Sequence, residues 1–573
     1  MHRTCYLLFI LLLLSFYLKG QDRLAIVYKA SAEDKKVLNR YHLPSAAYDS
    51  LDVLRASRDL VRALQHDGYM LASIGGPIIL GQTAEVFVKI GEQYYWANLH
   101  PGNLDEATLS HIGYRERFYK QKPFQYRVIS QLLQNIIDYS QNNGFPFASV
   151  QLDSISIEEE TNTIAARLHY QKGPFITFDT VLVHGEGRTK PLFLSRYLRI
   201  KPGEPYDERR VAQAAGKLSR LPYLKLTAAP YASFQLRQGT THLQLGEVKS
   251  NHIDGVIGLS PNEASEGGLL LTGQFDLLLQ NLFGTGKRIG IKWQRPQVRS
   301  QLLDMQYGHP NLLGTPVHVD TKFFLLKEDT LFLNRSFALE ASVLWGEYSR
   351  VKLFSDFKAA RVVGSTFSPD TGPLGEYADF NLNLYGVGYD WMKLDSPTLP
   401  TRGLAFNMQG AVGNKRIKGN TASENMELVQ YALEGEAQYY VPISRRFVMK
   451  TRLQAGVLVS DKLLVNDLYR IGGLNSLRGF VENEFYAANY AIGTLEGQLF
   501  LDSESYMFLF YDQGYGQFGT SKSSTDLPSG VGGGLTFATN IGSFTFAYAL
   551  GRTSAQTFDF NFSKVHFGYI TKF

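Results

Sequence analysis

Two hydrophobic periods divide the chain. Up to about residue 250, apolar residues recur at helical spacing between short alternating runs; beyond Asn251 only the alternation remains. Residues 51–66 (LDVLRASRDLVRALQH) set Leu51, Leu54, Leu60, Val61 and Leu64 near one face of a helix that stops at Asp67-Gly68, and alternation follows from Ala84 to Ile90. Residues 125–142 repeat the plan with Val128, Leu132, Leu133, Ile136 and Ile137 on one stripe, ended by Asn143-Gly144. A third round opens with the strand FITFDTVLVHG, continues through helices PLFLSRYL and YDERRVAQAAGKLSRL, and closes with strands YASFQLRQ and HLQLGEVK. Gly68 and Gly144 stand 76 residues apart, and Leu221 lies 77 beyond Gly144, a period that predicts tandem α/β modules rather than one continuous α/β domain.

Residues 251–573 carry sixteen candidate strands, from 253–260 to 563–573, at about 20 residues per strand and connection. A strand that crosses a bilayer needs roughly 9 to 11 residues. In the last strand Val565, Phe567, Tyr569, Thr571 and Phe573 share one face, opposite His566, Gly568, Ile570 and Lys572. In 489–500, Ala491, Leu495 and Leu499 alternate with Thr494, Glu496 and Gln498. An apolar face opposite a polar one predicts lipid outside and a wet lumen inside. The first strand, near Ile253–Ser260, is short and contains Gly255 and Gly258, so a weak seam with the terminal strand is expected.

Residues 1–20 (MHRTCYLLFILLLLSFYLKG) read as a cleaved export signal: Arg3, an apolar run from Tyr6 to Leu14, then Gly20. Among 573 residues the single cysteine is Cys5, inside this leader, so the body has no disulfide and no thiolate. No later window approaches 18 consecutive apolar residues, which leaves a closed antiparallel sheet as the way to span a membrane. The competing architecture is a soluble β-sandwich or helix array of secreted type. A net charge of +5 makes no demand for nucleic acid, and the basic residues are not grouped with aromatic platforms. The 12 histidines form no H-x-x-H, and Gly284-Thr285-Gly286-Lys287 lacks the early glycine and the hydroxyl residue of a phosphate loop. No nucleophile and base are paired by a recognisable spacing, so neither enzyme, metal nor cofactor is expected.

The phrases DYSQNNGFPFASV, YQKGPFITFDTVLVHGEG, LRIKPGEPYDERRV and KLSRLPYL resemble polypeptide-transport-associated (POTRA) modules. They place modules at 93–173 and 174–250, and a divergent one at 22–92 whose opening strand is indistinct and whose later strand is interrupted by Gly75-Gly76-Pro77. Downstream, QNLFGTGKRIGIKW (280–293), LDSPTLPTRGLAF (394–406), YRIGGLNSLRGF (469–480) and FLFYDQGYG (508–516) resemble the BamA/TamA outer-membrane assembly superfamily, the bacterial surface antigen family. The three-module layout resembles the TamA branch. The resemblance implies periplasmic POTRA modules followed by a 16-stranded antiparallel transmembrane β-barrel over 251–573, in the bacterial outer membrane. It implies insertion or translocation of outer-membrane proteins, with outer-membrane lipid and unfolded clients as partners and a periplasm-spanning inner-membrane protein as a further one. A two-partner-type secretion channel or lipid-handling barrel of the same architecture is the alternative; a diffusion porin and a barrel-borne enzyme are further ones.

The candidate site is a loop of about 29 residues between Ser460 and Asn489, longer than connections usually are. Gly472, Gly473 and Gly479 permit tight backbone turns there, and the resemblance assigns Arg478, Gly479 and Phe480 to the superfamily's arginine-glycine-aromatic signature. A guanidinium folded into a lumen requires a carboxylate; Asp512 is the first choice and Glu496 the second. The alternative is a loop outside the cell with separate solvated charges. Phe567, Tyr569 and Phe573 form the expected C-terminal barrel signal.

Overall fold

The computed structural model describes residues 24–261, 269–295, 300–328, 331–363, 377–418, 425–519, 525–539 and 542–571. The leader at 1–20 and Phe573 lie outside the described residues. Two compact units divide the chain: one runs to Ile176 and includes Pro205–Glu208, and the other comprises Thr177–Glu204 and Arg209–Phe573.

The first unit holds two small sheets of one plan, helices over a sheet whose opening strand runs parallel to its last. In the first, Leu24–Lys29 pairs in parallel with Thr83–Lys89, so the indistinct opening strand is a regular one. Asp49 caps the helix Ser50–His66 by accepting the Asp52 N–H at 2.8 Å. That helix buries Val53, Leu60 and Leu64 against Ala84, Val86, Val88 and Ile90, each large aliphatic side chain contributing about 1.5–3 kcal/mol. Leu51 and Leu54, expected on the inner face, are exposed because the stripe is centred one position further round. The second sheet repeats this with Tyr95–His100, Ser149–Glu158 and Thr163–Gln171 under the helix Tyr126–Gln141.

The 76-residue period has a hydrogen-bonded joint behind it. Tyr94 N–H donates to Gly68 O and Phe124 N–H to Tyr94 O, both at 2.8 Å; one period later Ile176 N–H donates to Gly144 O at 2.8 Å and Tyr206 N–H to Ile176 O at 3.0 Å. Each helix end is thereby bonded to the opening of the next repeat.

The second unit begins with a third small sheet. Thr177–His184 runs parallel to Gln238–Glu247, which also pairs with Tyr231–Gln235 and Leu224–Leu226. The single helix expected at YDERRVAQAAGKLSRL is two short ones, Glu208–Ala212 and Ala214–Leu218, interrupted at Gln213.

Among the described residues from His252 to Thr571 the chain forms one antiparallel meander of eighteen strands, not sixteen. The two additional strands are short: Tyr469–Ile471, paired with Phe485–Phe500, and Thr525–Asp526, paired with Tyr506–Phe518. Strands of two or three residues have no alternation to detect. Closure by pairing is also not found: among the described residues no ladder links His252–Pro261 to Lys564–Thr571, although these edge strands approach within 8 Å.

The faces of the sheet differ chemically. Leu495, Leu499, Leu509 and Tyr511 are exposed on one side; Thr494, Glu496, Gln498 and Asp512 are buried on the other. Exposed apolar rows of this kind recur in Phe337, Leu339, Leu353, Tyr385 and Val387. Among the described residues no helix is long and apolar enough to cross a membrane, which says nothing of crossing by strands.

Candidate functional site

The connection between Phe447–Val459 and Phe485–Phe500 is shorter than expected, because the second strand starts four residues before Asn489. Its core is pinned to three adjacent strands. Register sets Thr494 opposite Asp512 and Asp512 opposite Gly530. Glu496 pairs with Phe510, so Glu496 and Asp512 are diagonal neighbours on the inner face.

Arg478 binds both carboxylates. Its Nε and Nη2 donate to Asp512 Oδ2 and Oδ1 at 2.8 and 2.7 Å, and Nη1 donates to Glu496 Oε2 at 2.5 Å. The Arg478 backbone N–H adds a bond of 3.1 Å to Asp512 Oδ2. Relative exposure is 7% for Arg478, 4% for Glu496 and 0% for Asp512. The guanidinium carbon sits 3.5 Å from the centroid of the Phe510 ring, a cation–π contact on a planar cation. Gln498 Nε2 donates to Glu496 Oε1 at 2.8 Å, and Lys450 Nζ lies 3.8 Å from the same oxygen. Two carboxylates thus face two cations, with lone pairs occupied as a buried ionic cluster requires.

The loop can come this close only because glycine meets it. A Cβ on Gly530 would stand 2.0 Å from Arg478 O. Gly479, at φ +95°, passes its backbone beside Leu550 and Gly551, where a Cβ would meet Leu550 O at 2.7 Å. Gly472 and Gly473 also have positive φ, +121° and +95°, and Gly472 N–H donates to Ser476 Oγ at 2.8 Å. Phe480 is buried beside Phe485, with ring centroids 4.9 Å apart. Leu477 is fully buried.

Two further anchors escaped the sequence. Lys415 is fully buried and paired with Asp467, which also accepts a 3.1 Å bond from Gln430 Nε2. Lys415 Nζ donates in addition to Lys462 O at 3.1 Å. Arg470 donates to Glu328 at 3.0 Å and lies between the rings of Phe332 and Tyr486. No local motif marks these residues. The loop therefore crosses the inner face, fastened successively at Asp467, Arg470 and Arg478.

A cavity of about 1130 Å³ lies beside it, lined by charges of both signs, among them Asp276, Lys292, Lys358 and Arg470. Among the described residues no group of three or more histidine, cysteine, aspartate or glutamate side chains could hold a metal. Of the C-terminal candidates, Phe567 is exposed; Tyr569 pairs by backbone with Phe544, and its side chain lies outside the described residues, as does Phe573.

The chain thus joins small α/β sheets to a long antiparallel meander with an apolar outer face and an ionic inner one. The Omp85 superfamily domain matches residues 281–569, and the chain belongs to this superfamily. It is similar to the outer membrane protein assembly factor BamA of Neisseria meningitidis serogroup B, at 21% identity over 441 residues, which are 70% of this chain and 51% of that protein. The chain thus spans about half the length of the curated relative it matches. Among solved structures it resembles CdiB from Escherichia coli (TM-score 0.54, 12% identity, 95% of this chain and 99% of that one) and CdiB from Acinetobacter baumannii (TM-score 0.47, 14% identity, 91% and 98%). The first of these likenesses concerns fold.

Proposed function

We propose that this protein is a polypeptide-translocating channel of the outer membrane, with the modules at 22–92, 93–173 and 174–250 in the periplasm and 251–573 in the bilayer. The supporting observation is the cavity: it is lined by fixed charges of both signs and bounded by a loop held through side-chain anchors rather than by strand pairing along its length. Because Phe447–Val459 also pairs directly with Phe485–Phe500, displacing the loop gives up only the short Tyr469–Ile471 ladder and opens a polar path for an extended chain. Arg478 acts architecturally, and energy comes from folding of the cargo beyond the membrane. Quantitative proteomics after rapid depletion tests this: cargo should accumulate in the periplasm while integral outer-membrane proteins keep their levels.

Insertion of outer-membrane clients is the second reading. It is favoured by the edges of His252–Pro261 and Lys564–Thr571, which no ladder joins among the described residues and which offer a client strand backbone partners. A prompt fall in folded outer-membrane proteins after depletion would select it. Three modules fit a TamA-like layout with a periplasm-spanning inner-membrane partner, which crosslinking from the first module would capture.

A further inference from the structure

The third small sheet rests on three consecutive turns of the meander. Lys190 N–H donates to Gly284 O at 2.9 Å, Asn311 Nδ2 donates to Arg196 O at 3.3 Å, and Arg199 Nη2 donates to Leu344 O at 2.9 Å. Each of these turns also presents one large apolar side chain to the outside: Phe283, 85% exposed; Leu313, 92%; Trp345, 71%. Phe283 and Leu313 hold positive φ, +55° and +52°, a backbone cost that no packing of their side chains within the chain offsets. The helix Pro191–Leu198 buries Phe193, Leu194, Tyr197 and Leu198, leaving Leu192 (61% exposed) and Arg196 together on its outer side.

A single exposed leucine means little; Leu236, at a hairpin tip, is 89% exposed. The three turn residues differ in their setting. Trp345 ends the strand Phe332–Trp345 and shares the face of Phe337 and Leu339, so it continues the exposed apolar face of the sheet into the turn. Exposed Lys190 and Arg196 border them, and bulky apolar side chains edged by cations suit the boundary between acyl chains and anionic phosphates.

We propose that Phe283, Leu313 and Trp345, with Leu192 and Arg196, form one anchor that seats the third sheet on the headgroup layer of the leaflet facing the modules. The occupant is the lipid bilayer surface: apolar side chains enter the acyl boundary while Arg196 and Lys190 meet lipid phosphates. This rests on the reading of the meander as membrane-embedded.

The mature chain lacks cysteine, so single-cysteine variants can carry an environment-sensitive fluorophore in vesicles of phosphatidylethanolamine and phosphatidylglycerol. Leu313→Cys should lose most of its emission to headgroup nitroxide lipid and little to aqueous iodide. Leu339→Cys, on the mid-strand outer face, should be quenched by a nitroxide deep in the acyl chain. Leu236→Cys, at the end of the third sheet away from the turns, should be quenched by iodide alone. Leu313→Cys behaving like Leu236→Cys while Leu339→Cys reports lipid would overturn the anchor and leave the membrane reading standing. An aqueous Leu339→Cys would overturn both.

Discussion

Arg478 clasps Asp512 through two side-chain bonds of 2.7 and 2.8 Å and a third from its own backbone N–H, so the pairing fixes the loop's main chain as well as its charge. Removing Arg478 leaves the buried Asp512 without its cation, and removing Asp512 leaves Arg478 paired with Glu496 alone. R478A and D512A should each lower stability by about 3 kcal/mol or more, and the double variant should cost clearly less than the sum. Thermal denaturation in detergent of all four proteins reads the coupling; strict additivity would show that the two residues act independently.

Lys415 and Asp467 form a second fastening with no side chain in common with the first. K415M keeps the bulk of the side chain but leaves Asp467 buried with only Gln430 as a partner. It should raise hydrogen exchange across 461–468 while leaving 476–480 protected. Exchange rising equally in both stretches would mean that the anchors release as one.

The close approach of Gly530 to Arg478 O gives a steric test that leaves every charge in place. G530A should dislodge the loop and loosen its exchange protection. G493A, where an added Cβ meets nothing within 4 Å, should change neither. Equal behaviour of the two variants would remove the glycine from the explanation.

In the third sheet, His184 Nε2 and His242 Nδ1 are 2.9 Å apart, so at least one ring must be neutral. Burial, and secondly the charge of His184, hold the His242 pKa below its ordinary value. Because the folded value is the lower one, its contribution to stability is present above the unfolded pKa of about 6.5 and fades as pH falls through and below it. An NMR titration should place the His242 midpoint under that value, and H184Q should raise it. A midpoint unmoved by H184Q would exclude the pair as a cause.

Much of this was legible because period and face are encoded locally. Leu495 and Leu499 against Glu496 and Gln498 already separate the two sides of one strand, and the fixed interval from Gly68 to Gly144 marks the modules. The Arg478 cluster was readable through the arginine-glycine-aromatic motif on a glycine-rich loop, whose resemblance to the superfamily signature turns the loop inward and calls for a carboxylate. Lys415 with Asp467 was not: 52 residues separate them, and a lysine at an inward position of a wet sheet breaks no rule. Tyr469–Ile471 was too short for a period. The glycines at 284 and 286 fit no phosphate loop and belong to the resembling phrase 280–293, but their contacts are not legible there: Gly284 receives Lys190 and Gly286 lies against the Phe193 ring, which depends on tertiary packing alone.

The most direct measurement of the central claim, a charged cavity bounded by a loop that Arg478 holds in place, is single-channel conductance of the purified full chain in planar bilayers. The unaltered protein should be mostly closed, with brief openings. R478A should open more often, and deletion of residues 474–480 should give a steady, larger pore. Identical conductance and open times in all three would contradict the claim.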